Sequence, residues 1–208
     1  LSHTKNNIRI TFNPYINSIV DFIFINPIEI QQTVRGSFQV WEYMQTNARI
    51  WGIDSDISYD FIEKFTLKNQ ISFLRGIDTS NDVPLINMPP LNLKNEILYK
   101  NSKFHNLILS IQSDYIFKQN EFPNNNFEVF VPTTGKMELV DVSSSPEAYH
   151  LLNFRSTIEL STENKSKIKI GLSINNLLDK SYKNYLNRMR NYSHDLGRNI
   201  MININVNY

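Results

Sequence analysis

The chain has 208 residues, with 21 basic and 20 acidic side chains and a formal net charge of +1. This balance excludes the basic surplus that nucleic-acid binding needs, so we expect no nucleic-acid partner. The absence of cysteine excludes disulfide scaffolds, thiolate zinc sites and cysteine nucleophiles. Alanine, the best helix former, occurs only as Ala48 and Ala148, whereas isoleucine, phenylalanine and tyrosine are frequent. The composition therefore predicts an all-β fold.

The first half of the chain predicts four strands. The first, from about Asn7 to Ile25, is long, and Pro14 must lie where no ladder hydrogen bond is needed. Alternating apolar and polar residues then predict strands over 51–61, 65–73 and 91–99. Long connections are expected near 26–36 and 76–88, and a short polar turn near 61–64.

The second half predicts four more strands, over 107–117, 152–160, 168–174 and 199–208. In the last one, every second residue from Ile200 is apolar, and the opposite face is almost wholly asparagine. Short turns are expected near 100–103 and 161–166, and long loops over 119–146 and 177–197. The total is eight strands, most of them about nine residues or longer.

The connections alternate between short turns and long loops, which is typical of an outer-membrane barrel. Aromatic residues also gather near the predicted strand ends, as in the two girdles of such a barrel. One predicted girdle contains Tyr59, Phe61, Phe65, Tyr99, Phe104 and Tyr208, and the other contains Phe22, Phe24, Phe73, Tyr115 and Phe117. Strands of nine or more residues fit a membrane-spanning length better than the usual soluble strand.

Two alternatives share the same alternation. A soluble β-sandwich or ligand-binding β-barrel also alternates, but with its apolar face inward. A self-contained eight-stranded outer-membrane barrel, with an adhesin or structural role, closes on itself and fills its interior with side chains. The predicted polar face, rich in asparagine and aspartate, favours a wider and wetter lumen than eight strands enclose.

The C-terminal segment resembles a known family. The run Asn176-Leu177-Leu178-Asp179-Lys180-Ser181-Tyr182, then Gly197-Arg198-Asn199 and a final alternating strand, looks like the C-terminal end of TonB-dependent outer-membrane receptors. Leu178 stands where the family commonly has phenylalanine, and Tyr208 where a terminal phenylalanine is commoner. The segments 47–54 and 84–90 are similar to other parts of that barrel, in family order.

The resemblance implies an antiparallel transmembrane β-barrel, of which residues 1–208 supply about eight C-terminal strands of 22. The plug domain and earlier strands are then absent from this sequence. It also implies a receptor in the bacterial outer membrane that imports a ferric siderophore, haem or another metal complex. The implied partners are the TonB complex, acting through the missing plug, outer-membrane lipid, the barrel-assembly machinery and the imported substrate. No bound cofactor and no enzymatic activity are expected.

Two groups of side chains are candidate binding residues. Asp54, Asp56 and Asp60 share one face of a predicted strand, and on the barrel interpretation they face the lumen, where they could pair with cationic groups of the plug. The last long loop carries possible contacts to an anionic substrate arriving from outside. These candidates are Arg188, Arg190, Tyr192 and His194. A solvated wall and a solvated loop remain the plainer interpretations.

The remaining motifs concern assembly and chemistry. The resemblance implies that the terminal strand is read by the assembly machinery through Ile200, Ile202, Ile204, Val206 and Tyr208. The tripeptide Ser193-His194-Asp195 does not predict catalysis, because adjacent residues rarely reach the geometry of a triad. The histidines are scattered without paired spacing, so any metal ligand is unknown from the sequence.

Overall fold

The computed structural model describes residues 1–34, 36–131, 133–141, 143–161 and 167–207. Tyr208, predicted to end the terminal strand, lies outside these residues, as do residues 162–166 of the turn predicted near 161–166. Throughout the described ranges, no helix is long and apolar enough to cross a membrane.

The described residues form strands in antiparallel pairs, as the composition predicts. The strands are β1 (Ser2–Lys5), β2 (Ile8–Thr33), β3 (Gly36–Ile62), β4 (Phe65–Asp78), β5 (Val83–Pro84), β6 (Asn92–Asn101), β7 (Leu107–Ile116), β8 (Phe127–Val131), β9 (Lys136–Val140), β10 (Tyr149–Ser161), β11 (Lys167–Asn175) and β12 (Asn199–Asn207). The main sheet follows the order β1-β2-β3-β4-β6-β7-β10-β11-β12, with β5 paired to β4. Strands β8 and β9 form a separate hairpin. The all-β fold is therefore confirmed.

The main sheet is open over the described residues, because its end strands β1 and β12 each pair with one neighbour only. Short turns join β1 to β2, β3 to β4 and β6 to β7 at one end of the sheet. Long connections after β4, β7 and β11 lie at the other end, as antiparallel order requires. We call this second end the mouth.

The sheet has one apolar and one polar face. Directly opposite residues point to the same side, so the register aligns side chains of the same kind. Leu67, Ile97 and Ile111 lie in one row across β4, β6 and β7, and Ile170 faces Ile204 across β11 and β12. The first three are 40%, 51% and 51% exposed, so this apolar face is uncovered rather than packed as a soluble core.

The first hairpin differs from the prediction. The expected long loop near 26–36 is instead a continuation of β2 and β3, which reach 26 and 27 residues. These lengths are more than twice the span of about 9–11 residues that a bilayer needs. The hairpin therefore rises beyond the other strands, which have 9 to 14 residues in β4, β6, β7, β10, β11 and β12.

A β-bulge changes the face to which β2 side chains point. Ile19 is opposite Ala48 and Phe22 is opposite Thr46, so Val20 and Asp21 together face one residue of β3. Asp21 adopts a left-handed backbone conformation with φ 60°, which aspartate tolerates better than most residues. Beyond the bulge, the alternation of β2 is displaced by one residue.

The second predicted girdle, which contains Phe22 and Phe24, is consequently wrong at these two positions. Phe22 and Phe24 lie opposite Thr46 and Met44 on the polar face, because plain alternation overlooks the bulge. Their rings stack on each other at 6.4 Å between centroids. Phe73 and Tyr115 belong to the other face, and Tyr115 packs edge-on against Phe117 at 4.7 Å.

Candidate functional site

Three carboxylates of β3 lie along the polar face. Each accepts one hydrogen bond from a neutral side chain of β4. The bonds run from Ser72 Oγ to Asp54 at 2.7 Å, from Gln70 Nε2 to Asp56 at 2.5 Å and from Thr66 Oγ1 to Asp60 at 2.5 Å. Within the part of the chain that the structure describes, none of the three forms a salt bridge. The hydrogen-bond partners of this acidic row on β4 are therefore neutral.

A charged side chain of β4 pairs with one of the neighbouring strand β6. Lys68 Nζ lies 2.9 Å from Glu96 Oε2, and Ser110 also donates a hydrogen bond to Glu96. Lys94 of β6 lines the same concave surface as Asp54 and Asp56. Lys68 and Glu96 thus compensate each other, whereas Lys94 and the three carboxylates of β3 form no salt bridge among the described residues.

A glycine in β3 makes room for a tyrosine of β2. A Cβ atom on Gly52 would lie 2.5 Å from both the Tyr15 hydroxyl oxygen and the Phe73 carbonyl oxygen. The Tyr15 phenol therefore crosses the strand where the side chain of residue 52 would stand. Within this chain, the groups that approach this glycine are the Tyr15 phenol and the Phe73 carbonyl oxygen.

The motif at residues 176–182, at the start of the last loop, holds the loop in place through hydrogen bonds. The Asn176 backbone N–H donates to Asn153 Oδ1 at 2.9 Å, and the Asn176 side chain exchanges two hydrogen bonds with the backbone of Lys180, at 2.9 and 2.8 Å. Asp179 Oδ1 accepts from the backbone N–H of Arg198 at 2.8 Å, immediately before β12. A Cβ atom on Gly197 would lie 2.8 Å from that carboxylate oxygen. The motif therefore holds the beginning of the loop against its end.

The last loop also has an interior. Tyr185 and Arg190 are 4% and 5% exposed, and the Arg190 guanidinium lies 4.8 Å from the Tyr185 ring and donates to the Tyr185 carbonyl oxygen at 2.8 Å. Burial raises the pKa of the Tyr185 phenol, although the guanidinium opposes this change. Burial also lowers the pKa of the Arg190 guanidinium, and Tyr185 counteracts it. A charged group so deeply placed contributes to the packing of the loop.

The four predicted substrate residues of this loop are not brought together. Arg190 lies in the interior, whereas Tyr192 is 60% exposed and His194 is exposed. Arg188 lies over the ring of Trp41, 5.3 Å from its centroid. Trp41 belongs to the β2–β3 hairpin, whereas Arg188 precedes β12. The contact therefore connects elements near the two opposite edges of the main sheet.

The Ser193-His194-Asp195 segment forms a loop contact. Asp195 accepts hydrogen bonds from the Asn184 backbone N–H at 2.6 Å and from Asn187 Nδ2 at 2.9 Å. Its carboxylate is thus directed into the loop. Among the described residues, no three acidic or histidine side chains gather in a way that could hold a metal ion.

The terminal strand presents its apolar residues in one line. Ile200, Ile202, Ile204 and Val206 face Ile174, Leu172, Ile170 and Ile168 of β11. The other edge of β12 pairs with no strand of the described chain. An exposed edge with an apolar row suits pairing with a further strand.

The sequence analysis did not predict which residues are buried at the mouth. Leu85 is 2% exposed and Gln119 is 1% exposed, although both lie in segments predicted as long loops. Gln119 Nε2 donates to the Met88 carbonyl oxygen at 2.7 Å, and Arg75 donates to Gln119 Oε1 at 3.3 Å. The signal for Leu85 was present, because apolar residues within an otherwise polar loop indicate burial. Gln119 gave no such signal.

Three solved structures illustrate what this fold resembles. The copper transporter OprC matches with a TM-score of 0.73 at 15% identity, over 98% of this chain and 29% of that chain. A mutant of the ferric enterobactin receptor PfeA from Pseudomonas aeruginosa matches with a TM-score of 0.62 at 12% identity, over 96% of this chain and 29% of that chain. The FrpB iron transporter from Neisseria meningitidis matches with a TM-score of 0.62 at 14% identity, over 98% and 29%. These neighbours are TonB-dependent outer-membrane receptors.

This chain has the fold of a TonB-dependent receptor barrel. At these identities the likeness concerns the fold, and the chain spans 29% of the length of each of the three proteins. No protein-family model and no curated protein matches the sequence. The resemblance inferred from the C-terminal motif is therefore confirmed at the level of the receptor fold. In barrels of this fold the polar face lines the lumen and the apolar face meets lipid.

Proposed function

We propose that this chain is the C-terminal part of a TonB-dependent receptor in the bacterial outer membrane, which imports a metal complex. The observation that carries the proposal is the match to OprC over 98% of this chain, with 29% of that chain covered. An open sheet with an uncovered apolar face supports it, since hydrocarbon does not tolerate open sheet edges and further strands must close the barrel. The plug and the earlier strands then precede Leu1 in the intact protein.

The cargo in this proposal is a ferric siderophore, haem or another metal complex such as one of zinc. The long connections after β4, β7 and β11 all lie at the mouth, where such a complex arrives from outside. Arg188, Tyr192 and His194 are the exposed candidates for contact with it. The wall strands carry no covalent chemistry in this function, because import depends on energy that TonB delivers to the plug.

The acidic row is the proposed surface for the plug. Asp54, Asp56 and Asp60 have neutral hydrogen-bond partners and no salt bridge among the described residues. A plug that fills the lumen would supply cationic groups to them, since carboxylates removed from water need partners. The terminal strand, with Ile200, Ile202, Ile204 and Val206 on its lipid side, is the proposed signal for the assembly machinery.

The first test is the mass and N-terminal sequence of the native gene product extracted from outer membranes with detergent. Several hundred residues before Leu1, including a plug, are expected. A mature protein that begins at or near Leu1 contradicts the receptor function and leaves the small closed barrel. The second test compares uptake of radioactive iron, copper and zinc by cells with and without TonB, and uptake that is equal in the two strains contradicts import by this route.

The acidic row has its own test in the intact receptor. Asp54→Asn, Asp56→Asn and Asp60→Asn combined should loosen the plug and make cells more sensitive to a large antibiotic that the outer membrane excludes. Glu63→Gln, in the short turn between β3 and β4, is the matched control because it removes one carboxylate away from the lumen face. If the triple variant excludes the antibiotic as well as the control does, the plug assignment is wrong.

A further inference from the structure

A small pocket lies at the mouth between three separate parts of the chain. The upper half of the β2–β3 hairpin contributes Phe24 and Met44, and the segment at β5 contributes Leu85 and Ile86. Pro123, which precedes β8, closes the third side. The pocket has a volume of about 170 Å³.

The size and lining of the pocket suit a single ring. An apolar cavity of about 150 Å³ stays dry and binds benzene, so a pocket of this volume accommodates one six-membered ring. Leu85 and Ile86 form a buried floor, since they are 2% and 9% exposed. Met44 is 42% exposed, and its thioether adapts to the face or edge of an aromatic ring.

The bulge in β2 is what forms this pocket. Without the extra residue at Val20 and Asp21, plain alternation would place Phe24 on the lipid side of the hairpin. With it, Phe24 is paired with Met44 on the lumen side, facing the floor of the pocket. The left-handed conformation of Asp21 is therefore a local cost that places an aromatic ring at the mouth.

Polar groups in the lining determine which ring is admitted. Asn125 Nδ2 donates to Asn26 Oδ1 at 2.9 Å and ties the hairpin to the segment before β8. Asp78 is the one ionisable residue among the described residues that line the pocket. Its carboxylate accepts from Thr46 Oγ1 at 2.6 Å and from Asn81 Nδ2 at 2.8 Å, so it is held as an acceptor. A negatively charged ring would be repelled by this carboxylate.

We propose that this pocket binds one uncharged or cationic six-membered aromatic ring of an incoming ligand. The proposal deepens the proposed function, because a complex that approaches from outside meets the mouth before the lumen wall. Ring binding is measured on purified protein without transport, so its failure and a failure of import are separate results.

The test uses the intact gene product in detergent and the probe 4-fluorophenol, followed by fluorine NMR. Binding in the millimolar range or tighter is expected, and the anion 4-fluorobenzoate should bind at least tenfold more weakly. Met44→Trp fills the pocket and should weaken 4-fluorophenol binding at least tenfold. Tyr43→Trp is the matched control. Tyr43 immediately precedes Met44 in the same strand, points to the other face and is 76% exposed.

Three outcomes overturn the proposal. They are absence of 4-fluorophenol binding, equal binding by the Met44→Trp and Tyr43→Trp variants, and equal binding of the phenol and the benzoate. Heat-modifiable migration on a gel shows whether each variant has folded. If Met44→Trp does not fold, Phe24→Ala takes its place and should weaken binding about fivefold, and unchanged binding by that variant overturns the proposal as well.

Discussion

The lumen wall and the mouth of this protein are built in different ways. The wall consists of β4, β6, β7, β10, β11 and β12 together with the lower parts of β2 and β3, and most of its side chains are only partly buried. At the mouth, Leu85, Gln119 and Tyr185 are 4% exposed or less. A single layer of sheet has no second layer to pack against, so the ladder of backbone hydrogen bonds holds the wall together, whereas packed side chains hold the mouth.

This difference teaches where substitutions should matter. In the wall, we expect an added side-chain atom to lower the stability only where backbone or a crossing side chain already occupies the space. At the mouth, individual polar contacts and one strained residue fix the positions of the loops. The following substitutions test that division in the intact, folded protein, beginning with the largest expected effect.

Gly52→Ala should be the most damaging change in the wall. The new Cβ atom would meet the Phe73 carbonyl oxygen and the Tyr15 hydroxyl at 2.5 Å, so we expect a loss of about 3 kcal/mol of stability in urea unfolding followed by tryptophan fluorescence. Gly171→Ala is the control, because its Cβ atom would find its nearest neighbour, Thr157 Cγ2, at 3.6 Å. Equal losses for the two variants would show that close approach at Gly52 is unimportant.

Asp179→Ala should release the end of the last loop. The substitution removes the acceptor of the Arg198 backbone N–H, with an expected cost of about 1–2 kcal/mol and faster hydrogen exchange at that amide. Asp179→Asn keeps an acceptor oxygen and should retain most of the protection. If hydrogen exchange at the Arg198 amide is as slow in the alanine variant as in the wild type, Asp179 does not hold the end of the loop.

Asp21→Val should disturb the bulge at the border between wall and mouth. A β-branched residue is poorly accommodated at φ 60°, and we expect a cost of about 1–2 kcal/mol together with loss of 4-fluorophenol binding. Asp21→Gly adopts the same conformation without strain and should keep both. If valine preserves ring binding as well as glycine does, the bulge does not form the pocket.

Arg188→Ala should have the smallest effect. The guanidinium lies 5.3 Å from the centroid of the Trp41 ring at an exposed position, and such a contact contributes about 0.5–1 kcal/mol. Trp41 fluorescence should shift while global unfolding changes little. Lys183→Ala in the same loop is the control, and an equal fluorescence change in that variant would show that the contact with Trp41 is not its cause.

Much of the wall could be predicted from the sequence because a strand displays its two faces locally. Alternation over 168–174 and 199–208 predicted the apolar row that joins Ile170 to Ile204. The short turns and long loops predicted the mouth, and the C-terminal motif predicted the receptor fold that the structural comparison confirms. The predicted roles of Asp54, Asp56 and Asp60 and of the loop residues stay predictions that the proposed experiments address.

Only the tertiary structure determined the features that the local alternation of residues cannot predict. One extra residue at Asp21 moved Phe22 and Phe24 from the lipid side to the lumen side, and alternation read from the sequence gives no warning of a bulge. The placement of Arg188 on Trp41, and of Leu85 in one pocket with Phe24, brings together segments that are distant in the chain. The sequence alone determined the ladder from β4 to β12 of the main sheet, because those strands repeat a two-residue pattern. Only the folded chain determined the long first hairpin and the mouth, because a bulge and packing between separate loops leave no local pattern.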